Sequence, residues 1–113
     1  MVARCYLIVV RKATATYPLA KIKPLVKGKS WAATRTARDT ALALGFDDDD
    51  IFDCVVNQLA DTHFYKTMEA DQKPGHMQDV YRITYEGQRL YVKLQIIDEV
   101  AIVISFKEDE SGS

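Results

Sequence analysis

Side chains along one stretch near the C-terminus alternate strictly between apolar and polar. The apolar positions are Leu90, Val92, Leu94 and Ile96, and the polar positions are Arg89, Tyr91, Lys93 and Gln95. Successive side chains of a β-strand point to opposite faces of a sheet. This period of two therefore predicts a strand over residues 89–97, with one buried face and one polar face.

Two neighbouring segments extend this strand into a sheet. Residues 79–85 precede it and residues 100–107 follow it, and Glu86-Gly87-Gln88 predicts the first turn. Connections this short join antiparallel strands. We therefore predict an antiparallel meander in the C-terminal half of the chain.

The N-terminal half shows helical periodicity instead. Tyr17-Pro18 begins a helix, since proline suits the first turn, and Gly28 can end it. Pro24 conflicts with this pattern and predicts a kink or a shortened helix. After a short extended connection over residues 30–34, a second helical pattern covers residues 36–44.

Four consecutive aspartates, residues 47–50, come before a third helical pattern. Acidic side chains in a first helical turn complement the helix macrodipole, which is our preferred interpretation. A metal site is the alternative, but consecutive helical side chains point in different directions and do not converge. Asp61 or Thr62 can then cap a short helix through residues 64–66, and a polar loop follows over residues 69–77. Helices followed by a meander indicate an α+β fold.

Length and composition indicate one globular domain. The chain has 113 residues, of which 48% are hydrophobic and 27% are charged. We divide it into an N-terminal extension or edge strand (residues 1–12), the main domain (residues 13–108) and a flexible tail (residues 109–113).

The N-terminal apolar run and the two cysteines bear on the compartment. The run stops at Arg11 and Lys12, too early for a signal peptide or a membrane helix. Cys5 and Cys54 lie far apart and form no metal-binding or disulfide pattern. We therefore expect a cytoplasmic protein with reduced thiols.

The net charge of −1 does not indicate a globally basic nucleic-acid binder. Charge is instead unevenly distributed, because residues 1–45 are rich in lysine and arginine while residues 46–62 carry aspartates and no base. A polyanion would be attracted only by a local basic patch.

The register between the last two strands decides which polar side chains meet. A three-residue turn at residues 98–100 gives the pairs Ile97–Ala101, Lys93–Ser105 and Tyr91–Lys107. A two-residue turn would move Lys107 to the buried face, which is costly for a charged group. We therefore predict the three-residue turn, with a β-bulge as the alternative.

A tyrosine next to a lysine can serve RNA cleavage. The 2′-hydroxyl must lose a proton, the negative charge on phosphorus must be stabilised, and the leaving 5′-oxygen must gain a proton. Lysine supplies charge, or a base when its pKa is lowered, and tyrosine can relay a proton. Spacing alone is a weak signal, since lysines on strand edges usually serve solubility.

The histidines and the tryptophan carry no specific signal. His63 and His76 lack the third ligand that a zinc site requires. His76 either assists at an RNA site or is simply exposed in a loop. Trp31 either stacks on a base or is partly buried in the core.

Several short segments resemble the MqsR family of bacterial toxins. In the C-terminal half they are Phe64-Tyr65-Lys66, Gln78-Asp79-Val80-Tyr81-Arg82, Tyr91-Val92-Lys93 and Ser105-Phe106-Lys107, in the order and approximate spacing of that family. Tyr17-Pro18-Leu19 with Ile22, and Thr34-Arg35-Thr36-Ala37, resemble its N-terminal segments. Several matches in order are more specific than one short motif. The stretch from Tyr91 to Lys107 is one residue longer than the family pattern.

The resemblance implies a RelE-like α+β fold and a sequence-selective, metal-independent mRNA endoribonuclease that needs no cofactor. The implied catalytic residues are Lys66, Gln78, Tyr91 and Lys107, and the implied RNA-binding residues are Tyr81, Arg82, Lys93 and His76. It also implies a type II toxin that is neutralised by an MqsA-like antitoxin and meets DNA only through that complex. A non-catalytic RelE-fold module that binds protein or RNA is the alternative, motivated by the acidic balance.

Overall fold

The computed structural model describes residues 14–70 and 73–110, and the side chain of Pro74 is not described. The expected N-terminal extension, residues 1–12, lies outside these ranges. Within these ranges, three α-helices precede most of the sheet: α1 (Leu19–Lys27), α2 (Arg35–Ala43) and α3 (Asp48–Asp53). A π-helical turn, Cys54–Gln58, continues α3, and a 3-10 turn, Asp61–His63, follows it. Within the described ranges, no helix is long and apolar enough to span a bilayer.

Five strands of the described part of the chain form one sheet. They are β1 (Trp31–Ala33), β2 (Phe64–Ala70), β3 (Lys73–Tyr85), β4 (Gln88–Ile97) and β5 (Val100–Glu108), in the spatial order β1-β5-β4-β3-β2. Strands β2 to β5 are antiparallel neighbours, whereas β1 pairs with β5 in parallel. The α+β class is confirmed, and the sheet is mixed rather than a pure antiparallel meander.

One face of the sheet packs against the helices. Its β3 and β4 members, including Tyr81 and Val92, join helical side chains such as Ile22 and Ile51 in one buried cluster. The aromatic ring of Phe46 reaches this cluster from the loop after α2 and meets Phe106 edge-on at 6.1 Å between ring centroids. Burial of this apolar surface is the main stabilising contribution to a domain of this size. It leaves the opposite face of the sheet free of helices over the described ranges.

Local sequence explains where the helices begin. Thr34 caps α2 by accepting a hydrogen bond from the Ala37 N–H at 3.0 Å. Asp47 and Asp50 form a reciprocal capping box at the start of α3, so the four aspartates serve helix initiation as predicted. Helix α1 contains Pro24 and continues beyond it to Lys27, so the proline does not end the helix.

The segment around Phe64 differs from the prediction. Residues 64–66 begin strand β2 rather than a helix, and much of the predicted polar loop lies in β2 and β3. The capping residue Asp61 begins only a 3-10 turn. Pairing with β3 decides the outcome, because the ladder with β3 supplies backbone hydrogen bonds along the whole segment, more than a one-turn helix can form.

The register between β4 and β5 is reached by a bulge. Asp98 and Glu99 form a two-residue turn with positive φ angles of 50° and 62°, so Ile97 pairs with Val100 and not with Ala101. The predicted three-residue turn is therefore wrong. The register then shifts between Lys93 and Leu94, where β5 contains one extra residue, Ile104.

Candidate active site

The face of the sheet opposite the helical core carries the polar side chains of four adjacent strands. Strand pairing aligns Lys66 with Val80, Lys93 and Ser105 across the sheet, and the next row holds Arg82, Tyr91 and Lys107. Gln78 lies on β3 beyond the first row and pairs with Met68 of β2. The four residues expected to be catalytic thus come from four strands and lie on one face: Lys66, Gln78, Tyr91 and Lys107.

Two lysines flank the Tyr91 ring. The Nζ atom of Lys107 lies 5.1 Å from the ring centroid, and that of Lys93 lies 5.8 Å from it. Cations at this distance are attracted by the ring's electron-rich face. The extra residue of β5 makes this possible, since it restores the Tyr91–Lys107 and Lys93–Ser105 pairs that were predicted. Both pairs are confirmed, although the turn was predicted incorrectly.

A second cluster of cations surrounds Tyr65. The register of β2 shifts between Phe64 and Lys66, so Tyr65 is an extra residue. Its ring lies 4.8 Å from the guanidinium carbon of Arg82 and 5.4 Å from the Lys66 Nζ. Tyr65 is 45% exposed, which leaves much of the ring open to a ligand. The bulge thus places two consecutive side chains, Tyr65 and Lys66, beside the same cations.

Arg82 is held in place by a buried carboxylate. Its Nε donates a hydrogen bond to the Asp109 Oδ2 at 2.9 Å, and the Asp109 side chain is only 3% exposed. Charge-assisted hydrogen bonds of this type fix geometry as well as adding stability. Asp109 was expected to begin the flexible tail, and the structure instead packs it against the sheet, with its N–H bonded to the Arg89 carbonyl.

A cleft of about 320 Å³ opens beside this second cluster. Its walls include Thr62, His63, Tyr65, Arg82, Arg89 and Asp109. His63 accepts a hydrogen bond at Nδ1 from the Ala60 N–H, at 3.0 Å, so its Nε2 carries the proton when the ring is neutral. A cleft with two arginines and an open tyrosine ring has the chemistry to hold a nucleotide.

Gln78 is the most enclosed of the four residues expected to be catalytic. It is 9% exposed, and its Nε2 donates to the Oε1 of Gln95, a residue that is itself 4% exposed, at 3.1 Å. Polar side chains buried to this extent normally have hydrogen-bond partners, and these two glutamines satisfy each other in part.

Two of the residues expected to bind RNA lie elsewhere. Tyr81 points into the core at 1% exposure, where its ring meets Phe64, and its hydroxyl has no hydrogen-bond partner among the described residues. Burial raises the pKa of Tyr81 well above its usual value, with a further contribution from Asp79. Tyr81 therefore does not belong to the polar face. His76 is exposed on β3, beyond the part of that strand that pairs with β4.

Sequence reasoning did not assign functions to Tyr65, Gln95 and Asp109. Strict alternation along a strand puts neighbouring side chains on opposite faces, so Tyr65 would not be expected beside the same cations as Lys66. Only the assumption of a bulge at Tyr65 would have predicted this arrangement. Gln95 lay on the predicted polar face, but its burial depends on packing that a single strand cannot show. Among the described residues, no group of three or more histidine, cysteine, aspartate or glutamate side chains is placed to hold a metal ion.

Comparison with known proteins shows the family of the chain. The model of the family described as "Motility quorum-sensing regulator, toxin of MqsA" matches residues 14–108. The mRNA interferase toxin MqsR of Escherichia coli (strain K12) is 33% identical over 97 residues, which cover 86% of this chain and 97% of that protein. The family match extends over the described helices and the whole sheet. The chain therefore belongs to the MqsR toxin family.

Proposed function

We propose that this protein is the toxin of a type II toxin–antitoxin pair and acts as a sequence-selective, metal-independent mRNA endoribonuclease on a RelE-like fold. The observation that carries the proposal is the polar face. Lys66, Gln78, Tyr91 and Lys107 project from four adjacent strands, with the Lys107 Nζ 5.1 Å from the Tyr91 ring. Family membership supports the same reading.

The reaction uses the RNA's own 2′-hydroxyl as nucleophile. The 2′-oxygen loses its proton and attacks phosphorus, and the bond from phosphorus to the 5′-oxygen breaks. The products are a 2′,3′-cyclic phosphate and a free 5′-hydroxyl. Negative charge builds on the non-bridging oxygens in the transition state, so preorganised cations accelerate the step.

Each of the four residues has a role in this scheme. Lys66 on β2 and Lys107 on β5, the outer two of the four strands, hold the scissile phosphate and neutralise its developing charge. Tyr91, between them on β4, transfers a proton at the reacting oxygens. Gln78 orients the phosphate or the neighbouring nucleotide. Positioning and charge stabilisation of this type account for a large part of enzymatic phosphoryl chemistry.

Arg82, Lys93 and His76 extend the surface along the RNA. Arg82 and Lys93 lie on the same face as the catalytic set, where they meet backbone phosphates, and His76 lies at the exposed end of β3. Local cations suffice for this, even in a chain with a net charge of −1, because the attraction depends on the field at the site. Tyr81 is left out of the surface because it is buried.

The partner is a cognate, MqsA-like antitoxin that neutralises the toxin. The family description as the toxin of MqsA supports this assignment. An acidic antitoxin surface would complement the cations around Tyr65 and Tyr91. DNA enters only through the complex of toxin and antitoxin.

The test is cleavage of a long, defined mRNA by protein freed of antitoxin, in excess EDTA, with mapping of the ends. Wild type should cut at discrete positions and leave 2′,3′-cyclic phosphates. Lys107→Ala should slow cleavage by roughly 10²–10³-fold, the range expected when one group stabilising the transition-state charge is removed. Lys27→Ala, which removes an exposed lysine at the end of α1, is the matched control and should cut at the wild-type rate.

The outcomes separate the competing functions. RNA binding without cleavage, by folded wild type, would favour a binding module. Cleavage that EDTA abolishes would overturn metal independence. A soluble and folded Lys107→Ala variant that cuts at the wild-type rate would remove Lys107 from the catalytic set.

A further inference from the structure

Gln95 is a buried amide with no role in the chemistry described so far. It lies on β4, two positions beyond Lys93, and is 4% exposed although it occupies the polar face. Burying an amide is costly unless its donors and acceptor are satisfied. Its hydrogen bonding therefore indicates the role of this residue.

Gln95 is hydrogen-bonded to Gln78. The Gln78 Nε2 donates to the Gln95 Oε1 at 3.1 Å, within a layer where both residues are at most 9% exposed. Inside a protein such a bond is stronger than in water, because water does not compete for either group. The bond therefore restrains the amide of Gln78.

The residues on either side of Gln78 are held by Tyr17, which lies just before α1. The Tyr17 Oη donates to the backbone carbonyl of Met77 at 2.9 Å. Tyr17 is itself anchored, because its N–H donates to the buried carboxylate of Asp79 at 2.7 Å. The neighbouring Thr16 N–H donates to the same carboxylate at 3.0 Å.

We propose that Gln95 is a positioning residue for cleavage, which holds the Gln78 amide in one orientation, while Tyr17 holds the residues on either side of Gln78. The proposal rests on the proposed catalytic role of Gln78. One hydrogen of the Gln78 Nε2 is used by Gln95, so its second amide hydrogen and its Oε1 remain for the RNA. The first can meet a phosphate oxygen and the second the ribose 2′-hydroxyl.

A double-mutant cycle tests the proposal. Gln95→Leu keeps the side-chain size and removes both amide functions, while Gln78→Ala removes the residue to be positioned. Single-turnover cleavage is measured on a short RNA, and Kd on the same RNA with a 2′-deoxy nucleotide at the cut. We expect Gln95→Leu to slow cleavage roughly tenfold, the worth of one well-placed hydrogen bond, with Kd changed less than twofold. In the Gln78→Ala background the same substitution should change nothing further.

Two further variants complete the design. Gln88→Leu makes the same exchange at the start of β4, where it pairs with Tyr85, and should cleave like wild type. Tyr17→Phe removes only the phenolic oxygen and should slow cleavage in the same direction, again with no effect in the Gln78→Ala background. In NMR spectra, the side-chain amide resonances of Gln78 should shift and exchange faster with water in both Gln95→Leu and Tyr17→Phe.

The possible failures are distinguishable. If Gln78→Ala cleaves like wild type, the proposed role of Gln78 is wrong and Gln95 has no catalytic group to position. If Gln78→Ala is impaired but Gln95→Leu and Tyr17→Phe are not, the site assignment stands and the positioning proposal is overturned. Additive losses of rate in the double variant would likewise overturn it, since Gln95 would then act independently of Gln78.

Discussion

Tyr91 and Lys107 lie directly opposite each other on β4 and β5, although the turn that joins these strands would by itself put them out of register. The turn at Asp98 and Glu99 has two residues. Regular pairing of β4 with β5 from this turn would place the Lys107 side chain on the core side of the sheet. The extra residue at Ile104 returns the ladder to the functional register.

Deleting Ile104 should preserve the site. Val103 would still pair with Leu94 and Ser105 with Lys93, so the Tyr91–Lys107 pair would remain. The lost hydrogen bond from the Thr34 hydroxyl to the Ile104 carbonyl, 3.0 Å long, should lower the free energy of unfolding by about 1 kcal/mol. Cleavage assays and urea unfolding measure the two effects.

Inserting one alanine between Ser105 and Phe106 is the contrasting variant. It would turn Phe106, which is fully buried, toward the polar face, and Lys107 toward the core. We expect it to be unfolded or inactive. A deletion variant that folds but no longer cleaves RNA would show that the bulge itself, and not only the register, is needed.

Asp109→Ala should destabilise the protein. Arg82 would lose the buried acceptor at 2.9 Å, and we expect the free energy of unfolding to fall by about 1–3 kcal/mol, the range for hydrogen bonds to charged groups. Glu110→Ala, at the exposed next residue, should change it by less than about 0.5 kcal/mol. Equal effects of the two substitutions in urea unfolding would contradict the anchoring role of Asp109.

The thiol of Cys54 should be unreactive in the native state. Burial, and then the charge of Asp53, raise the pKa of Cys54 to about 12, whereas Lys23 lowers it. In a Cys5→Ser background, iodoacetamide at pH 8 should modify Cys54 only after unfolding. Rapid modification of the folded protein would show that the thiol is accessible.

The same pKa shift sets a pH dependence for stability. The unfolded thiol titrates near 9.0 and the folded one near 12, so between these values the unfolded state binds fewer protons. Stability from Cys54 is therefore complete below pH 9 and falls as the pH rises toward 12, by at most about 1.4 kcal/mol per pH unit. Cys54→Ala should flatten this slope in urea unfolding series between pH 8 and pH 10.5, and an unchanged slope would assign the effect to other groups.

Lys23→Met should destabilise the junction after α3. The Lys23 Nζ donates to the carbonyls of Val56 at 2.9 Å and Leu59 at 2.6 Å, which end the π-helical turn. Methionine keeps the apolar stem but leaves both carbonyls without this donor, so we expect a loss of about 1–3 kcal/mol. Lys21→Met, on the exposed side of α1, is the control for removing a positive charge. Thermal or urea unfolding would measure both variants.

Local patterns were sufficient for several features of the fold. The alternation around Tyr91 predicted β4 and its buried side, and the aspartates at residues 47–50 predicted the start of α3. In each case the signal and its structural consequence lie within a few residues of one another. The α+β class followed from the order of these elements.

Features that depend on distant partners were not predictable. Residues 64–66 carry helix-capping signals nearby, yet they form a strand because β3 is available to pair with them. Residues 31–33 were expected only to be extended, since nothing local indicates parallel pairing with β5. The length of the turn between β4 and β5 was predicted incorrectly because Asp98 and Glu99 adopt positive φ angles, which non-glycine residues seldom do.

Some residues of the candidate site were predicted from the sequence and others were missed. Lys66, Gln78, Tyr91 and Lys107 were named from the family resemblance, and their assembly on one face comes from the pairing of β2 to β5. Gln95 and Asp109 were missed because their importance comes from burial against Gln78 and Arg82. Sequence position alone does not reveal which polar residues become enclosed.

The position of β5 has a consequence for the synthesis of the protein. Strand β5 lies between β1, which comes early in the sequence, and β4, so the sheet cannot be completed until β5 has left the ribosome. Lys107 arrives with that same strand. A nascent or prematurely terminated chain that lacks β5 would have neither a complete sheet nor this lysine, so its toxicity should begin only after β5 has been translated.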